Sequence, residues 1–309
     1  MPRRRWVVLT LLILPLLWIV YQFNSEDKKS IKKVDFSKRI ETKIIGGKDD
    51  ASLRFAIAAV VSPKKTFFLY QDMLNYMGEK LGRPIKLIQR TNYGEINLLI
   101  KSGYADIAFI CSGAYISGEN EIEMDILAAP KVYGKSEYQS YIIVQKDSDI
   151  ETFEDLKGKT FAFSDPLSNS GKLFPTYKIY MLSETPESFF KEYMYTYSHD
   201  NTINAIARGI VDGAAVDSLI WEYENETNPS VTSNTRIIEK SPFFAISPIV
   251  TPKRLDSGTK TQLRNILLNM HKDPTGQRIL KKLKIDSFVP IKKEAYDSIR
   301  MMYRSTYKN

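Results

Sequence analysis

Apolar and polar positions along residues 53–252 repeat with two periods, near two and near 3.6, and the switches between them mark out the elements. Leu53 to Val61 is an apolar run closed by Ser62-Pro63 and predicts a strand. From Thr66 to Gly82 the apolar residues Phe67, Tyr70, Leu74, Met77 and Leu81 fall at helical spacing, with Gly82 as the stop. Strand Ile85–Gln89, helix Tyr93–Ser102 and strand Asp106–Ile110 follow, then strands Ile126–Tyr133 and Ser140–Gln145. After a short helix and turn at Thr152–Lys159 the series begins again. It runs through strands Thr160–Ser164, Tyr193–Tyr197 and Ala214–Asp217, and helices Gly171–Ser183, Thr202–Arg208 and Ser218–Glu226. Beyond Pro252 three helical stretches, Gln262–Met270, Gly276–Leu283 and Glu294–Tyr307, are expected to pack back onto the first half. Two strand–helix series predict two α/β lobes with ligands bound at loops beyond the strand ends. The extended segments Tyr138–Val144 and Ser241–Val250 are the natural crossings between them.

Ahead of the lobes, Arg3-Arg4-Arg5 precedes an apolar segment from Trp6 to Phe23. It is long enough to span a bilayer, and the arginines keep the N-terminus cytoplasmic while the rest is exported. A cleaved signal peptide is the rival reading. No small-x-small pair and no lipid-accepting cysteine follows the apolar core, which favours an uncleaved anchor. The expected organisation is therefore 1–5 cytoplasmic, 6–23 transmembrane, 24–50 linker, 51–137 with 243–309 as lobe 1, and 138–242 as lobe 2. Such a protein sits on the periplasmic, extracytoplasmic face of the cytoplasmic membrane, held there by residues 6–23.

Composition narrows the chemistry. The formal charge is +8, but residues 1–50 carry 11 Lys and Arg against 6 Asp and Glu, so most of the excess flanks the apolar segment. A nucleic-acid partner is not expected. Cys111 is the single cysteine and His199 and His271 the two histidines, which excludes an intrachain disulfide and a cysteine- or histidine-rich metal site. No cofactor is expected, and Cys111, ending an apolar strand, reads as a buried structural thiol.

Hydrogen-bonding chemistry gathers at predicted strand ends. Phe161-Ala162-Phe163 closes a strand, Asp165-Pro166 turns, and Ser168-Asn169-Ser170 opens a helix at Gly171. A helix N-terminus has unpaired N–H groups and about half a positive charge, so Ser-Asn-Ser there can surround a tetrahedral oxyanion with neutral donors. The same residues also make an ordinary helix cap. Tyr93, in Thr91-Asn92-Tyr93-Gly94, and Ser112, in Cys111-Ser112-Gly113-Ala114-Tyr115, sit in two further strand-to-helix loops, binding loops or capped turns alike. His199 and Asp217 follow strands on the same edge; the imidazole is either a structural cap or a donor facing the seat.

The chain carries, in order, Tyr93-Gly94, Gly103-Tyr104-Ala105-Asp106-Ile107-Ala108, Ser112-Gly113-Ala114-Tyr115 and Tyr138-Gln139-Ser140-Tyr141-Ile142-Ile143-Val144. It continues through Asp147-Ser148, Phe153-Glu154-Asp155-Leu156-Lys157-Gly158-Lys159, Ser168-Asn169-Ser170-Gly171, His199 and Lys240-Ser241-Pro242. In this order the pieces resemble the periplasmic solute-binding proteins for phosphonate, phosphite and related oxyanions that serve ABC importers, over Leu53 to about Ser298. The resemblance implies a type II periplasmic-binding fold: two α/β lobes, a hinge, and a ligand clamped in the cleft, here preceded by a transmembrane helix. It puts the oxyanion on Ser168, Ser170 and the backbone of Asn169, with His199 donating, Tyr93 and Tyr138 closing from the hinge side, and Asp217 accepting from a protonated ligand oxygen.

The chain departs from the family pattern where Asn169 replaces the middle hydroxyl of a Ser-Thr-Ser triplet. It also carries Leu219 and Ser247 where aminoalkylphosphonate binders place carboxylates. The implied function is capture of phosphonate, phosphite or phosphate for an ABC permease. A membrane-tethered sensor reporting to a kinase or other membrane partner is the alternative, motivated by the missing cleavage site. An enzyme is not expected: Ser168 with His199 resembles a dyad, but no Gly-x-Ser-x-Gly elbow is present.

Overall fold

Strands that are apolar on both faces need cover on both sides, and the chain supplies it by following most strands with a helix. The computed structural model describes residues 52–58 and 63–307. Its first part comprises β1 (Leu53–Ala58), α1 (Pro63–Leu81), β2 (Ile85–Arg90), α2 (Tyr93–Lys101), β3 (Ile107–Phe109), α3 (Ser112–Gly118) and β4 (Met124–Lys131). The middle opens with β5 (Glu137–Tyr138), β6 (Ser140–Gln145) and β7 (Thr160–Phe163), then a π-turn at Asn169–Leu173 that runs into α4 (Phe174–Met181). It continues through α5 (Pro186–Phe189), β8 (Glu192–Tyr195), α6 (His199–Ala207), β9 (Gly213–Asp217), α7 (Ser218–Thr227) and α8 (Pro229–Thr232). The last part holds β10 (Thr235–Lys240), β11 (Phe244–Ala245), β12 (Ile249–Pro252), α9 (Ser257–Asn269), α10 (Pro274–Lys282), β13 (Ser287–Val289) and α11 (Asp297–Tyr307).

These strands form a six-stranded sheet, β13-β4-β12-β3-β1-β2, and a five-stranded sheet, β10-β6-β9-β7-β8. The two share a design. In each, three strands run parallel, β2-β1-β3 in the first and β8-β7-β9 in the second, and the strands beyond are antiparallel. Between the sheets, β5 pairs with β11, Tyr138 opposite Phe244, so the two crossing segments form a short ribbon.

Packing follows the pattern of apolar residues. Phe55, Met73, Leu74, Met77, Leu263 and Leu267 are buried between the first sheet, α1 and α9. Ile143, Ala162, Ile203, Ile206 and Val216 do the same between the second sheet and α6. A further cluster threads from Tyr93 and Tyr115 through Tyr138 and Phe244 to Phe161 and Phe163, so apolar contact is continuous beneath both sheets. Phe161 stacks on Phe190 with ring centroids 4.3 Å apart. Burying each such ring is worth roughly 1.5–3 kcal/mol.

One packing expectation changes. Helices α9 and α10 do lie on the first half, against α1. Helix α11 instead crosses to α4 and the π-turn while also touching α3. It buries Ile299 and Met302, and Arg300 clasps Glu119 through two bonds of 2.6 and 2.8 Å. The apolar segment 6–23 and the linker 24–50 lie outside the described residues. Among the described residues no helix is long and apolar enough to cross a membrane.

Candidate functional site

A parallel strand followed by a helix delivers its last residues to the sheet's carboxyl edge, where the helix N-terminus points outward. Five such junctions supply the expected site residues: β2 leads to Tyr93, β3 to Ser112, β7 to Ser168–Ser170, β8 to His199 and β9 to Asp217. Tyr138 joins them from the ribbon. All but Asp217 are buried, and Asp217 is half-buried.

At the seat, Ser168 Oγ accepts from Gly171 N at 3.0 Å, the helix cap that its residue type predicts. The turn that follows is wider than an α-turn: Leu173 N reaches back to Ser168 O at 2.9 Å, five residues away. Such π-turns occur often at functional sites. Here the turn accompanies a cluster of unpaired groups, since Ser164 Oγ, Asn169 Oδ1 and Ser170 Oγ are buried with no partner in the protein. A buried polar atom left so costs about 1–3 kcal/mol. Three within seven residues point to a ligand that supplies the missing bonds. Gly171 makes room for one of them, because a Cβ there would overlap Ser164 Oγ.

The halves meet around this seat. Tyr138 Oη lies 2.8 Å from Ser112 Oγ and accepts from Asn169 Nδ2 at 3.0 Å, joining the first sheet's edge, the ribbon and the seat. Tyr93 N donates to Asp165 Oδ2 at 3.0 Å, and Asp165 also holds Leu167 N at 2.8 Å. Gly113 permits the closest approach: a Cβ there would overlap Leu167 O and lie 2.7 Å from Asn169 N. Below the seat, Ser140 Oγ donates to Ser170 O at 2.7 Å. Farther out, Glu226 on α7 accepts from Tyr133 Oη and pairs with Lys284, both at 2.7 Å, so the opposite rims of the cleft are bridged.

Electrostatics set which groups are charged. Burial lowers the His199 pKa to about 4, opposed by Asp200, and its Nδ1 accepts from Asp217 N at 3.0 Å. The neutral ring therefore carries its proton on Nε2, an uncharged donor. Burial raises Asp217 to about 7, although Leu219 N, at 2.8 Å, and Ile220 N pull it down. Asp217 thus contributes stability that is present below its ordinary 3.8 and lost as pH rises through about 7. His199 contributes stability present above its ordinary 6.5 and lost as pH falls through about 4. The two effects oppose each other in the window between.

Other residues lie beside the candidate site, some of which do not stand out in the sequence. Lys172 is buried, its Nζ 3.8 Å from the Phe163 ring centroid with Tyr193 and Tyr195 around it, and burial lowers its pKa to about 8. It sets a cation behind the seat. Cys111 is a buried thiol pushed up to about 11 by burial, against the pull of Asn169, Gly113 and Ala114 N–H groups. Ser164, Asp165 and Gly113 carried faint signals only: the first two are strand-end and turn residues, the third a glycine at a helix start. Leu219 and Ser247 line, with Asp217, a cavity of about 130 Å³ between the halves. Among the described residues no group of His, Cys, Asp or Glu could hold a metal ion.

Comparison with known proteins gives this geometry a setting. A family model described as the periplasmic substrate-binding protein of the phosphonate ABC transporter matches residues 55–296. The phosphonates-binding periplasmic protein of Escherichia coli K12 is 26% identical over 239 residues, covering 76% of this chain and 70% of that protein. A probable ABC transporter phosphite-binding protein of Prochlorococcus marinus is 24% identical over 256 residues, covering 79% and 85%. The crystal structure of a binding protein component of an ABC phosphonate transporter from Pseudomonas aeruginosa superposes with a TM-score of 0.77 at 25% identity, covering 81% of this chain and 85% of that one. The fold is the mixed α/β fold of type II periplasmic binding proteins, and the match favours solute binding over the sensor alternative. With most of its length matched by the family model, this chain belongs to the periplasmic substrate-binding proteins of phosphonate ABC transporters.

Proposed function

We propose that the protein captures a small phosphorus oxyanion, a phosphonate, phosphite or phosphate, on Ser168, Asn169 and Ser170 and passes it to an ABC permease. Lobe 1 (51–137 with 243–309) and lobe 2 (138–242) close on the ligand about the β5–β11 ribbon. The observation that carries this reading is the pair of buried, unpartnered hydroxyls on Ser164 and Ser170 beside a helix start, free to donate to an anion, with the unpartnered Asn169 Oδ1 between them as an acceptor for a protonated ligand oxygen. Tyr93, His199 Nε2 and the one proton left free by the Tyr138–Ser112 pair complete a shell of uncharged donors. Bonds from such donors to an anion are shorter and about twice as strong as bonds between neutral groups. We place the protein at the periplasmic face of the membrane, held by residues 6–23.

A thermal-shift series with phosphite, phosphate, methylphosphonate, 2-aminoethylphosphonate and sulfate tests the reading. A ligand at a hundred times its Kd stabilises by about 2.7 kcal/mol, roughly 5–10 °C for a domain of this size. Phosphite, phosphate and methylphosphonate are expected to give such shifts, with aminoethylphosphonate weaker. At a pH above 7, where Asp217 has lost its own proton, sulfate shifts least, because it brings none to share with the carboxylate. Equal shifts for sulfate and methylphosphonate would contradict the assignment.

Asp217 makes binding pH-dependent. One proton must lie between its carboxyl group and the ligand oxygen, and that proton is lost as pH rises through about 7. Between pH 5.5 and 8.5 the carboxyl's share of the fall in affinity reaches about thirtyfold. Asp217→Asn keeps a capping oxygen but does not titrate. Its affinity profile for methylphosphonate should be flatter than that of the wild type by this factor, the ligand's own titration being common to both. Parallel profiles by calorimetry would remove Asp217 from the site.

A further inference from the structure

The seat occupies only one end of the space between the lobes. Next to it, with Asp217 as the shared residue, is the partly open cavity of about 130 Å³, bordered by β1, β3 and the end of β4 on one side, α7 on the other, and the stretch after β11. Its wall is mostly apolar, from Ile57, Phe109, Val132, Leu219 and Ile246 to the rings of Tyr70 and Tyr223, with Ser247 and Lys284 as polar members. The space persists although the rims are already bridged by Tyr133, Glu226 and Lys284, with Gly113 already against Leu167 and Asn169. Closure therefore does not collapse it. A phosphite or methylphosphonate on the seat would leave this apolar space unfilled, and an unfilled apolar cavity forfeits dispersion contacts on every wall.

We propose that the preferred ligand is a phosphonate bearing an apolar organic substituent of about four to six carbon atoms, its head on Ser168–Ser170 and its tail in this cavity. The size follows from a simple comparison: a dry cavity of about 150 Å³ lined by Leu, Ile and Phe accommodates benzene. The chemistry follows from the wall. An ammonium-bearing tail would meet the Lys284 cation in the lining and Asp217 as the one carboxylate there, which already caps α7, while Glu226 at the rim is taken by Tyr133 and Lys284. This inference rests on the oxyanion reading and adds the substituent to it.

Calorimetry on the full-length protein with methylphosphonate, n-butylphosphonate and 2-aminoethylphosphonate separates the two. Each buried methylene is worth roughly a factor of four in affinity, so n-butylphosphonate should bind at least about tenfold tighter than methylphosphonate. Ser247→Phe, which fills the cavity from its wall, should cost n-butylphosphonate at least about tenfold and methylphosphonate less than about threefold. Methylphosphonate binding with n-butylphosphonate equal or weaker overturns the substituent and leaves the oxyanion seat standing. Tighter binding of aminoethylphosphonate than of n-butylphosphonate overturns it equally, as does a Ser247→Phe protein that loses both ligands alike. If none of the three binds, the oxyanion reading itself fails. Should Ser247→Phe not fold, the ranking on the wild-type protein decides.

Discussion

The Ser168→Ala, Ser170→Ala double variant is expected to lose roughly 3–6 kcal/mol of affinity for methylphosphonate, taking about 1.5–3 kcal/mol for each hydrogen bond to a charged group. That is two to four orders of magnitude in Kd, read by calorimetry. The single variants differ in a way that a merely structural role would not reproduce. Ser170 Oγ has no partner in the protein, so Ser170→Ala removes an unsatisfied buried hydroxyl. Its melting temperature without ligand should be unchanged or higher while affinity falls. Ser168 Oγ caps Gly171 N, so Ser168→Ala should lose about 1 kcal/mol of stability as well as affinity. If Ser170→Ala destabilised the free protein and left affinity intact, the hydroxyl would belong to the fold and not to a ligand.

Gly113→Ala is expected to weaken oxyanion binding about tenfold to a hundredfold without unfolding the protein. The added methyl would strike the backbone at Leu167 and Asn169, which cannot swing aside as a side chain can. Overpacking of this kind costs about 1–3 kcal/mol, and here it falls on the approach of one lobe to the other. Locally the change is favourable, since Gly113 is the second residue of a helix and alanine is the better helix former by about 1 kcal/mol. Solution scattering should show the wild type compacting with methylphosphonate and the variant compacting less at equal saturation. Affinity within about threefold of wild type would mean that this contact does not limit closure.

Much of this was legible in the sequence because repeated strand–helix alternation has few alternatives. Strand Ser140–Gln145 lies where its apolar run begins and ends, and β7 ends beside the Ser-Asn-Ser turn as its Phe-Ala-Phe triplet implies. Other features had no signature to read. The π-turn at Asn169–Leu173 rests on an i to i+5 hydrogen bond, and no apolar period marks it in five residues. Strand β10 was missed because its register shifts between Ile237 and Glu239, which breaks the alternation. The crossing of α11 to α4 depends on what its apolar face meets, and periodicity reports the face but not the partner. At the candidate site, residue types that cap helices marked Ser168, Asn169 and Ser170, and the end of a strand marked Asp217. Gly113 and Ser164 matter through spatial closeness to residues about 55 and 7 positions away, a relation that no local pattern carries.

The most direct measurement is a crystal structure of the protein grown with methylphosphonate. Tetrahedral density is expected against the π-turn, with phosphonate oxygens within hydrogen-bond distance of Ser168, Ser170 and Asn169 N and with His199 Nε2 donating from the side. Density elsewhere in the cleft, with Ser170 Oγ still unpartnered, would contradict the account.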